Sequence, residues 1–208
     1  MYIVLEGIVG SGKTTQVRKL VEYFRSEGKS VVQVREPGTT PIAEDIRHLA
    51  QGKTWEDEKM HPLTNAYLYA AARAQTLQTV VHPALERWDI VISDRSFLSS
   101  CAIQGEAQGV GINKVLAINK EAVWKVIPDI IFYLDINIDL ALSRISDQSG
   151  DKFEREGKEF YEKIVRWYEK CAKWKKLEWR FIKIDANGSE DEVFDKIIWA
   201  LGQSIVFN

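Results

Sequence analysis

The chain has 208 residues, of which 45% are hydrophobic and 11% aromatic, and one globular domain spanning residues 1–208 accounts for this length and composition. Its 28 Lys and Arg residues are balanced by 30 Asp and Glu residues, so the net charge of -2 provides no overall basic field for nucleic acid. Cys101 and Cys171 have no metal-ligand spacing, which favours a reducing, cytoplasmic setting. The opening residues lack the features of a signal peptide, and no stretch approaches the roughly 20 apolar residues of a bilayer span. We therefore expect neither nucleic acid nor a membrane as a partner.

Five short apolar runs rich in β-branched residues predict β-strands, each separated from the next by a longer helical pattern. They cover residues 2–5, 31–34, 90–92, 130–136 and 181–184. The runs that begin at Ile90 and Ile130 are almost continuously apolar, as in strands that are buried on both faces of a parallel sheet. The alternation predicts a three-layer α/β fold, with a five-stranded parallel sheet between helices on both of its faces.

Helical periodicity is clearest directly after the first strand, where one apolar stripe is expected to face the sheet. The stripe consists of Val17, Leu20, Val21 and Phe24. Gly28 is suited to end this helix, and Pro83 is typical of the end of a later one. The remaining predicted helices cover residues 41–50, 64–85, 114–126, 139–145, 158–174 and 190–201.

A glycine-rich segment between the first strand and this helix matches the phosphate-binding P-loop, a Gly, four residues, then Gly-Lys-Thr. It reads Gly7, Ile8, Val9, Gly10, Ser11, Gly12, Lys13 and Thr14, and Thr15 follows as a further phosphate contact. The backbone N–H groups of such a loop surround phosphate oxygens, and the helix dipole adds to the attraction. We expect Lys13 to reach the β and γ phosphates and the Thr14 hydroxyl to bind Mg²⁺. A glycine turn capped by Thr14 would leave Lys13 unexplained.

P-loops occur in GTPases, ATPase motors and small-metabolite kinases, so other motifs must distinguish these classes. A GTPase is expected to carry Asn-Lys-x-Asp after a strand to read guanine. The Asn-Lys pairs of this chain, Asn113-Lys114 and Asn119-Lys120, lack the Asp. This difference disfavours a GTPase.

Asp94 and Arg95 lie at the carboxyl end of the third predicted strand, where open α/β sheets bind their ligands. Asp94 is expected to hold the water shell of Mg²⁺ or to orient the attacking oxygen, and Arg95 to clamp an acceptor phosphate. The alternative is that Asp94 caps a helix and that Arg95 is solvated.

These motifs and several others together resemble the thymidylate kinase family over nearly the whole chain. They are the segment from Glu6 to Gln16, Arg35-Glu36-Pro37-Gly38, Glu44-Asp45-Ile46-Arg47, Tyr69-Ala70-Ala71-Ala72-Arg73-Ala74-Gln75, Asp94-Arg95-Ser96 leading to Gln104-Gly105, and Pro128-Asp129 before Phe132-Tyr133-Leu134-Asp135. The Arg-Glu-Pro-Gly segment and the Ala-Ala-Arg helix are fairly specific to this family, whereas the P-loop alone indicates the superfamily. The resemblance implies a P-loop NTPase fold and a homodimeric kinase that uses ATP and Mg²⁺ to phosphorylate dTMP to dTDP.

The resemblance also implies which residues bind the acceptor. Tyr69 and Arg73 lie four residues apart and therefore share one face of a helix. At these positions the family has an aromatic ring that stacks on thymine and an Arg that bonds to the base. The other matched positions are Glu36 and Arg47 on the monophosphate side, and Ser100 and Gln104 near the base. The family often has a cis peptide bond before Pro37, so we expect one here.

A short lid is expected over residues 144–158, between two predicted helices. In the family, a basic residue from the P-loop or the lid neutralises the charge that develops on the transferred phosphoryl group. Besides Lys13 this P-loop has none, so the candidates are Arg144, Lys152 and Arg155. Arg144 is preferred because relatives carry an Arg at that position.

Three departures from the family pattern concern the choice of acceptor. Val9 replaces a common Asp or Glu of the P-loop, Ser96 replaces a Tyr, and Ile103 replaces the Tyr that lies under the deoxyribose in relatives. A kinase for another nucleoside monophosphate or for a deoxynucleoside therefore stays open. So does a nucleotide-binding module without catalysis.

Overall fold

The structure, a computed structural model, describes residues 1–51, 58–144, 156–174 and 180–206. Its strands are β1 (Tyr2–Glu6), β2 (Val31–Arg35), β3 (Ile90–Asp94), β4 (Ile130–Asp135) and β5 (Phe181–Asp185). Each strand begins and ends within two residues of a predicted apolar run. The predicted strands are therefore confirmed.

These strands form a parallel sheet in the order β2-β3-β1-β4-β5, with β1 at its centre. Ile3 of β1 is opposite Ile92 of β3 on one side and Ile130 of β4 on the other. The carboxyl ends of β1 and β3 are aligned, since Leu5 is opposite Asp94. The P-loop and the Asp-Arg pair consequently leave the sheet next to each other.

Helices cover both faces of the sheet, as expected for a three-layer fold. They are α1 (Lys13–Ser26), α2 (Pro41–Gln51), α3 (Pro62–Thr76), α4 (His82–Glu86), α5 (Phe97–Ser100), α6 (Ile112–Val123), α7 (Ile138–Ser143), α8 (Lys158–Cys171) and α9 (Glu190–Val206). The predicted apolar stripe of α1 is buried, and α1 packs on the sheet and on α9. On the other side, α3, α6 and α8 pack around the segment 101–107. Among the described residues, no helix has both the length and the apolar character needed to cross a bilayer.

The predicted helix over residues 64–85 is interrupted, because a π-helical turn, Leu77–Val81, separates α3 from α4. The sequence predicts Pro83 at the end of a helix. In the structure Pro83 lies instead in the first turn of α4. In a first turn the missing N–H of proline costs no hydrogen bond. The wider turn therefore lets the helical path continue through the proline.

A second helical segment has no counterpart among the predicted elements. It consists of α5 and the π-helical Cys101–Ala107 that follows it. Ser96 caps α5 by accepting a hydrogen bond from the Leu98 N–H at 3.2 Å. Most of the segment is buried, so its sequence shows no alternation of apolar and polar residues by which a helix is recognised.

Candidate functional site

The P-loop connects β1 to α1 through two glycines in the left-handed region, Gly10 with φ 74° and Gly12 with φ 89°. A Cβ on Gly10 would lie 2.1 Å from the carbonyl oxygen of Ala141, so α7 packs directly against the loop and leaves no room for a side chain. Gly12 immediately precedes the first residue of α1. The loop and the helix N-terminus together therefore form an anion site built from backbone N–H groups.

Lys13 is buried at the start of α1, and its side chain returns over the P-loop. The Nζ atom donates hydrogen bonds to the carbonyl oxygen of Ile8 at 2.7 Å and to Ser11 Oγ at 3.3 Å. These bonds hold the ammonium group beside the loop backbone. A bound phosphate would thus meet one full positive charge in addition to the backbone dipoles.

Thr14 and Asp94 meet where α1 begins and β3 ends. The Thr14 hydroxyl donates to Asp94 Oδ2 at 2.7 Å. Asp94 Oδ1 is buried and has no hydrogen-bond partner among the described residues. One carboxylate with a free oxygen and an adjacent hydroxyl is a typical protein contribution to a Mg²⁺ site that is completed by waters and phosphates. The predicted metal residues therefore lie together and fit Mg²⁺.

Arg95 follows with φ 79°, a strained conformation for a residue other than glycine. Its guanidinium donates from Nη1 to the carbonyl oxygen of Gly7 at 3.0 Å and to Ser99 Oγ at 3.1 Å. Arg95 is therefore not simply solvated, and Ser96 rather than Asp94 caps the following helix. The alternative interpretation of the Asp-Arg pair is wrong on both points.

A cavity of about 330 Å³ lies at the carboxyl edge of the sheet and brings most of the predicted residues together. Its lining includes Gly7, Ile8, Val9, Gly10, Gly12, Lys13, Thr14, Thr15, Asp94 and Arg95, and on the acceptor side Glu36, Arg47 and Tyr69. The Tyr69 hydroxyl accepts from Gln51 Nε2 at 2.6 Å, and Arg47 Nη1 donates to the carbonyl oxygen of Pro37 at 3.0 Å. The Glu36–Pro37 bond is cis, as expected. The residues predicted to bind phosphate and several of those predicted to bind the acceptor thus share one space.

Arg73 and Ser100, both predicted to bind the acceptor, do not line this cavity but lie behind Glu36. Arg73 is 2% exposed, and its Nε donates to Glu36 Oε2 at 2.5 Å. Nη1 donates to Ser100 Oγ at 3.1 Å and to Asn119 Oδ1, and Nη2 donates to the Ser96 carbonyl oxygen at 3.0 Å. Every nitrogen of the guanidinium therefore has a protein partner.

Gln104 is also outside the cavity lining and is fully buried. Its Nε2 donates to Asn65 Oδ1 at 2.8 Å, whereas its Oε1 has no hydrogen-bond partner among the described residues. The structure thus places Gln104 in the layer behind the cavity, with one acceptor unused.

The carboxylate of Glu36 is the acidic group on the acceptor side of the cavity. Its burial raises its pKa above the usual range, and the Arg73 guanidinium partly opposes this shift. One buried cation therefore supports the ionised form of a carboxylate that reaches the cavity.

Arg144, the preferred lid residue, is exposed and lines a second cavity of about 650 Å³ on the other side of the P-loop. This cavity also contains Ser11, Gln16 and residues 188–190, while Gly10, Gly12 and Thr15 contribute to both cavities. Lys152 and Arg155 lie outside the described residues. The P-loop thus lies between two cavities, and its residues line both.

Sequence reasoning missed several residues of the first cavity: Arg35, Gln51, Phe160, Tyr161 and Ile164. Arg35 ends β2 at the same sheet edge as Asp94, which is opposite it in register. The strand predicted over residues 31–34 therefore already indicates that Arg35 lies at the ligand-binding edge of the sheet. The aromatic residues of α8, in contrast, are typical of an ordinary amphipathic helix, and only the tertiary packing brings them to the site.

A parallel sheet with a P-loop after its central strand, a buried Lys and a Thr-Asp pair defines a P-loop nucleotide-binding protein. The family model for thymidylate kinase matches residues 5–197. The chain is 40% identical to a thymidylate kinase of Thermosipho africanus over 197 residues, which are 95% of each chain. It is also 40% identical to one from Acinetobacter baumannii over 199 residues, 95% of this chain and 98% of the relative.

The solved structures agree with the sequence relatives. The crystal structure of thymidylate kinase from Ehrlichia chaffeensis matches with a TM-score of 0.77 at 30% identity, covering 97% of this chain and 98% of that chain. The chain belongs to the thymidylate kinase family.

Proposed function

We propose that this chain transfers the γ-phosphoryl group of ATP to dTMP, forming dTDP and ADP with the help of Mg²⁺. The observation that carries the proposal is the cavity that the P-loop shares with Glu36, Tyr69 and Arg95. A nucleotide-binding switch holds one nucleotide and needs no space for an acceptor beside the P-loop. An acceptor space beside the phosphate site favours group transfer.

The transfer is a direct displacement. An oxygen of the acceptor phosphate forms a bond to the γ-phosphorus, and the bond from that phosphorus to the bridging oxygen breaks, so that its electron pair leaves with ADP. A phosphate monoester has its second pKa near ~6 and is already a nucleophile at neutral pH, so no strong general base is required. Catalysis then depends on positioning and on charge stabilisation.

The described residues supply both effects. Lys13 follows the transferred group as a positive charge, and Arg95 clamps the acceptor phosphate beside the P-loop. Arg144 is the proposed cation from the donor side, since it lines the cavity across the P-loop. Thr14 and Asp94 would hold Mg²⁺, which when bound neutralises charge on the phosphate oxygens and orients them.

Tyr69 is the proposed stacking surface for the acceptor base. Its ring is buried in the cavity wall, and its hydroxyl is held by Gln51. Four of the five N–H groups of the Arg73 guanidinium donate to described protein atoms, so the second N–H of Nη2 is the donor that a direct bond to the base would use. Val9 and Ile103 line the same cavity without a polar group, so they remove contacts to the sugar that relatives make.

The test is an ADP-release assay with ATP and Mg²⁺ and with dTMP, dUMP, dGMP, dCMP, UMP or thymidine as the acceptor. We expect the highest kcat/KM for dTMP. A higher value for another acceptor would refute the assignment of dTMP and identify Val9 and Ile103 as the residues to revert. ADP release from none of these acceptors, with ATP binding intact, would identify a binding module without catalysis.

Lys13→Ala is the matched control for this assay. We expect it to abolish transfer while leaving the circular dichroism spectrum unchanged, because Nζ contacts the loop and not the hydrophobic core. Unchanged transfer by this variant would contradict the assignment of the P-loop. A homodimer and a cytoplasmic location stay predictions, for which sedimentation and cell fractionation are the direct measurements.

A further inference from the structure

Glu6 ends β1 directly before the P-loop and is fully buried. Its Oε1 accepts from the backbone N–H of Ser96 at 2.8 Å and from Ser96 Oγ at 2.7 Å. Its Oε2 accepts from Ser99 Oγ at 2.6 Å and from the Tyr168 hydroxyl at 2.7 Å. All four partners donate, which is the arrangement that suits an ionised carboxylate.

A buried carboxylate without an ion pair is costly unless hydrogen bonds stabilise it. Glu6 makes no ion pair with any residue that the structure describes. Four hydrogen-bond donors take the place of a positively charged partner. It does not line the cavity, and of the residues already described it contacts Ser96 and Ser99. Its role follows from the contacts that Ser96 and Ser99 make with Arg73 and Arg95.

Ser99 has a single hydroxyl proton, which it donates to Glu6. Its oxygen lone pairs are thereby left to accept from Arg95 Nη1 at 3.1 Å. Arg95 can only donate, so Ser99 is always the acceptor in this pair. The bond to Glu6 fixes where the Ser99 oxygen lies and directs its lone pairs towards the Arg95 guanidinium.

Ser96 provides a second path on the other side of the carboxylate. Its N–H and hydroxyl both donate to Glu6, and its carbonyl oxygen accepts from Arg73 Nη2 at 3.0 Å. Glu6 is therefore one residue away from each of the two arginines on the acceptor side. Through them the carboxylate orders Glu36 as well, since Arg73 donates to it.

We propose that Glu6 is a positioning residue for the acceptor, acting through Ser99 on Arg95 and through Ser96 on Arg73. This inference rests on the proposed function in one respect, that Arg95 holds the acceptor phosphate. Glu6 touches neither substrate. Its effect is exerted on the orientation of the two guanidinium groups.

The first variant is Glu6→Gln, which keeps the shape but places an NH₂ group against hydroxyl donors. A hydroxyl that faces this NH₂ group must turn its proton away. On the Ser99 side this disturbs the oxygen that accepts from Arg95, and on the Ser96 side it loosens the residue whose carbonyl oxygen accepts from Arg73. We expect kcat/KM for dTMP to fall roughly 10- to 100-fold, the range for a small misplacement of a positioning group, while KM for ATP changes less than about twofold. Equal losses for both substrates, or a lower melting temperature alone, would overturn the proposal.

Tyr168→Phe is the matched control, because it removes one donor from the same carboxylate and one contact of 3.3 Å with Ser99 Oγ, but leaves in place the hydrogen bonds that Ser96 and Ser99 donate to Glu6. We expect its kcat/KM for dTMP to stay within about threefold of the wild-type value, even if its melting temperature falls. A loss equal to that of Glu6→Gln would show that any disturbance of the cluster is sufficient and would refute a specific path.

A double-mutant cycle with Arg95→Ala decides the mechanism. If Glu6 acts mainly through Arg95, adding Glu6→Gln to Arg95→Ala costs less than about threefold, whereas independent roles would multiply the two losses. Should Glu6→Gln fail to fold, Ser99→Ala takes its place in the cycle, with the same two outcomes. A wild-type chain that binds dTMP without transfer would refute the proposed function, and the same cycle on dTMP dissociation constants would still decide the role of Glu6.

Discussion

Replacement of Arg73 by Met is expected to lower the free energy of unfolding by about 3–5 kcal/mol, the usual cost of leaving one buried charge without its partner. The Arg73 and Glu36 side chains are 2% and 1% exposed, so water cannot replace the lost partner. Ser100 and Asn119 lose a donor at the same time. Because a typical domain is stable by only about 5–15 kcal/mol, the variant retains a fold but with a much smaller margin.

The loss of unfolding free energy should depend on pH, and the direction of this dependence follows from the pKa of Glu36. Burial raises the pKa of this carboxyl, and Arg73 lowers it, so removal of Arg73 raises the pKa further. Between the unfolded pKa and this raised value, the folded variant binds a proton that the unfolded chain does not. The stability of Arg73→Met should therefore fall as the pH rises through that window, and the difference from wild type should be smaller at pH 5 than at pH 8.

Urea denaturation followed by circular dichroism at both pH values measures this difference. The double variant Arg73→Met with Glu36→Gln removes the uncompensated charge and should recover part of the loss at pH 8, leaving a smaller dependence on pH. A destabilisation below about 1 kcal/mol, the size of one ordinary hydrogen bond, would refute the buried ion pair as a structural element. An equal loss of stability at both pH values would also refute the buried ion pair as a structural element.

The remaining predictions concern the metal residues and the cysteines. Asp94→Asn should lower kcat by about 10- to 100-fold and raise the Mg²⁺ concentration needed for half of the maximal rate, and an unchanged Mg²⁺ titration would contradict its role. Burial raises the pKa of Cys101 to about 12 and also raises that of Cys171, so neither thiol should react with a disulfide reagent at pH 8 until urea opens the fold. Rapid labelling of either native thiol would show that the packing around it opens easily.

The strands, the P-loop and the Asp-Arg pair could be predicted because each depends on a short stretch of sequence. Runs such as 90–92 are continuously apolar, the strand extends only two residues further, to Asp94, and the glycines of the P-loop stand at fixed spacing. The carboxyl edge of a parallel sheet then places Lys13, Asp94 and Arg95 together without any knowledge of the loops.

The environment of Arg73 could not be obtained in this way. Its partners come from the loop that follows β2, from the segment around 96–100 and from α6, as far as 46 residues along the chain. A sequence pattern places Arg73 and Tyr69 on one helix face but does not show how deep that face is buried. The same reasoning explains why the sequence assigns no role to Glu6, although this residue begins the P-loop segment that resembles the family: its partners lie 90, 93 and 162 residues away along the chain.

The central position of β1 also determines when the phosphate site can exist during synthesis of the chain. The P-loop follows β1 directly, yet β1 pairs with residues 91–94 on one side and 130–133 on the other. Contacts between such distant segments form slowly, because the entropy of closing the long loops between them opposes pairing. A nascent chain that has exposed its P-loop therefore has no complete nucleotide site until residues 130–133 have also been made. Nucleotide binding then stabilises only the state in which the sheet is complete. It therefore contributes to stability at the end of folding and does not help folding to start.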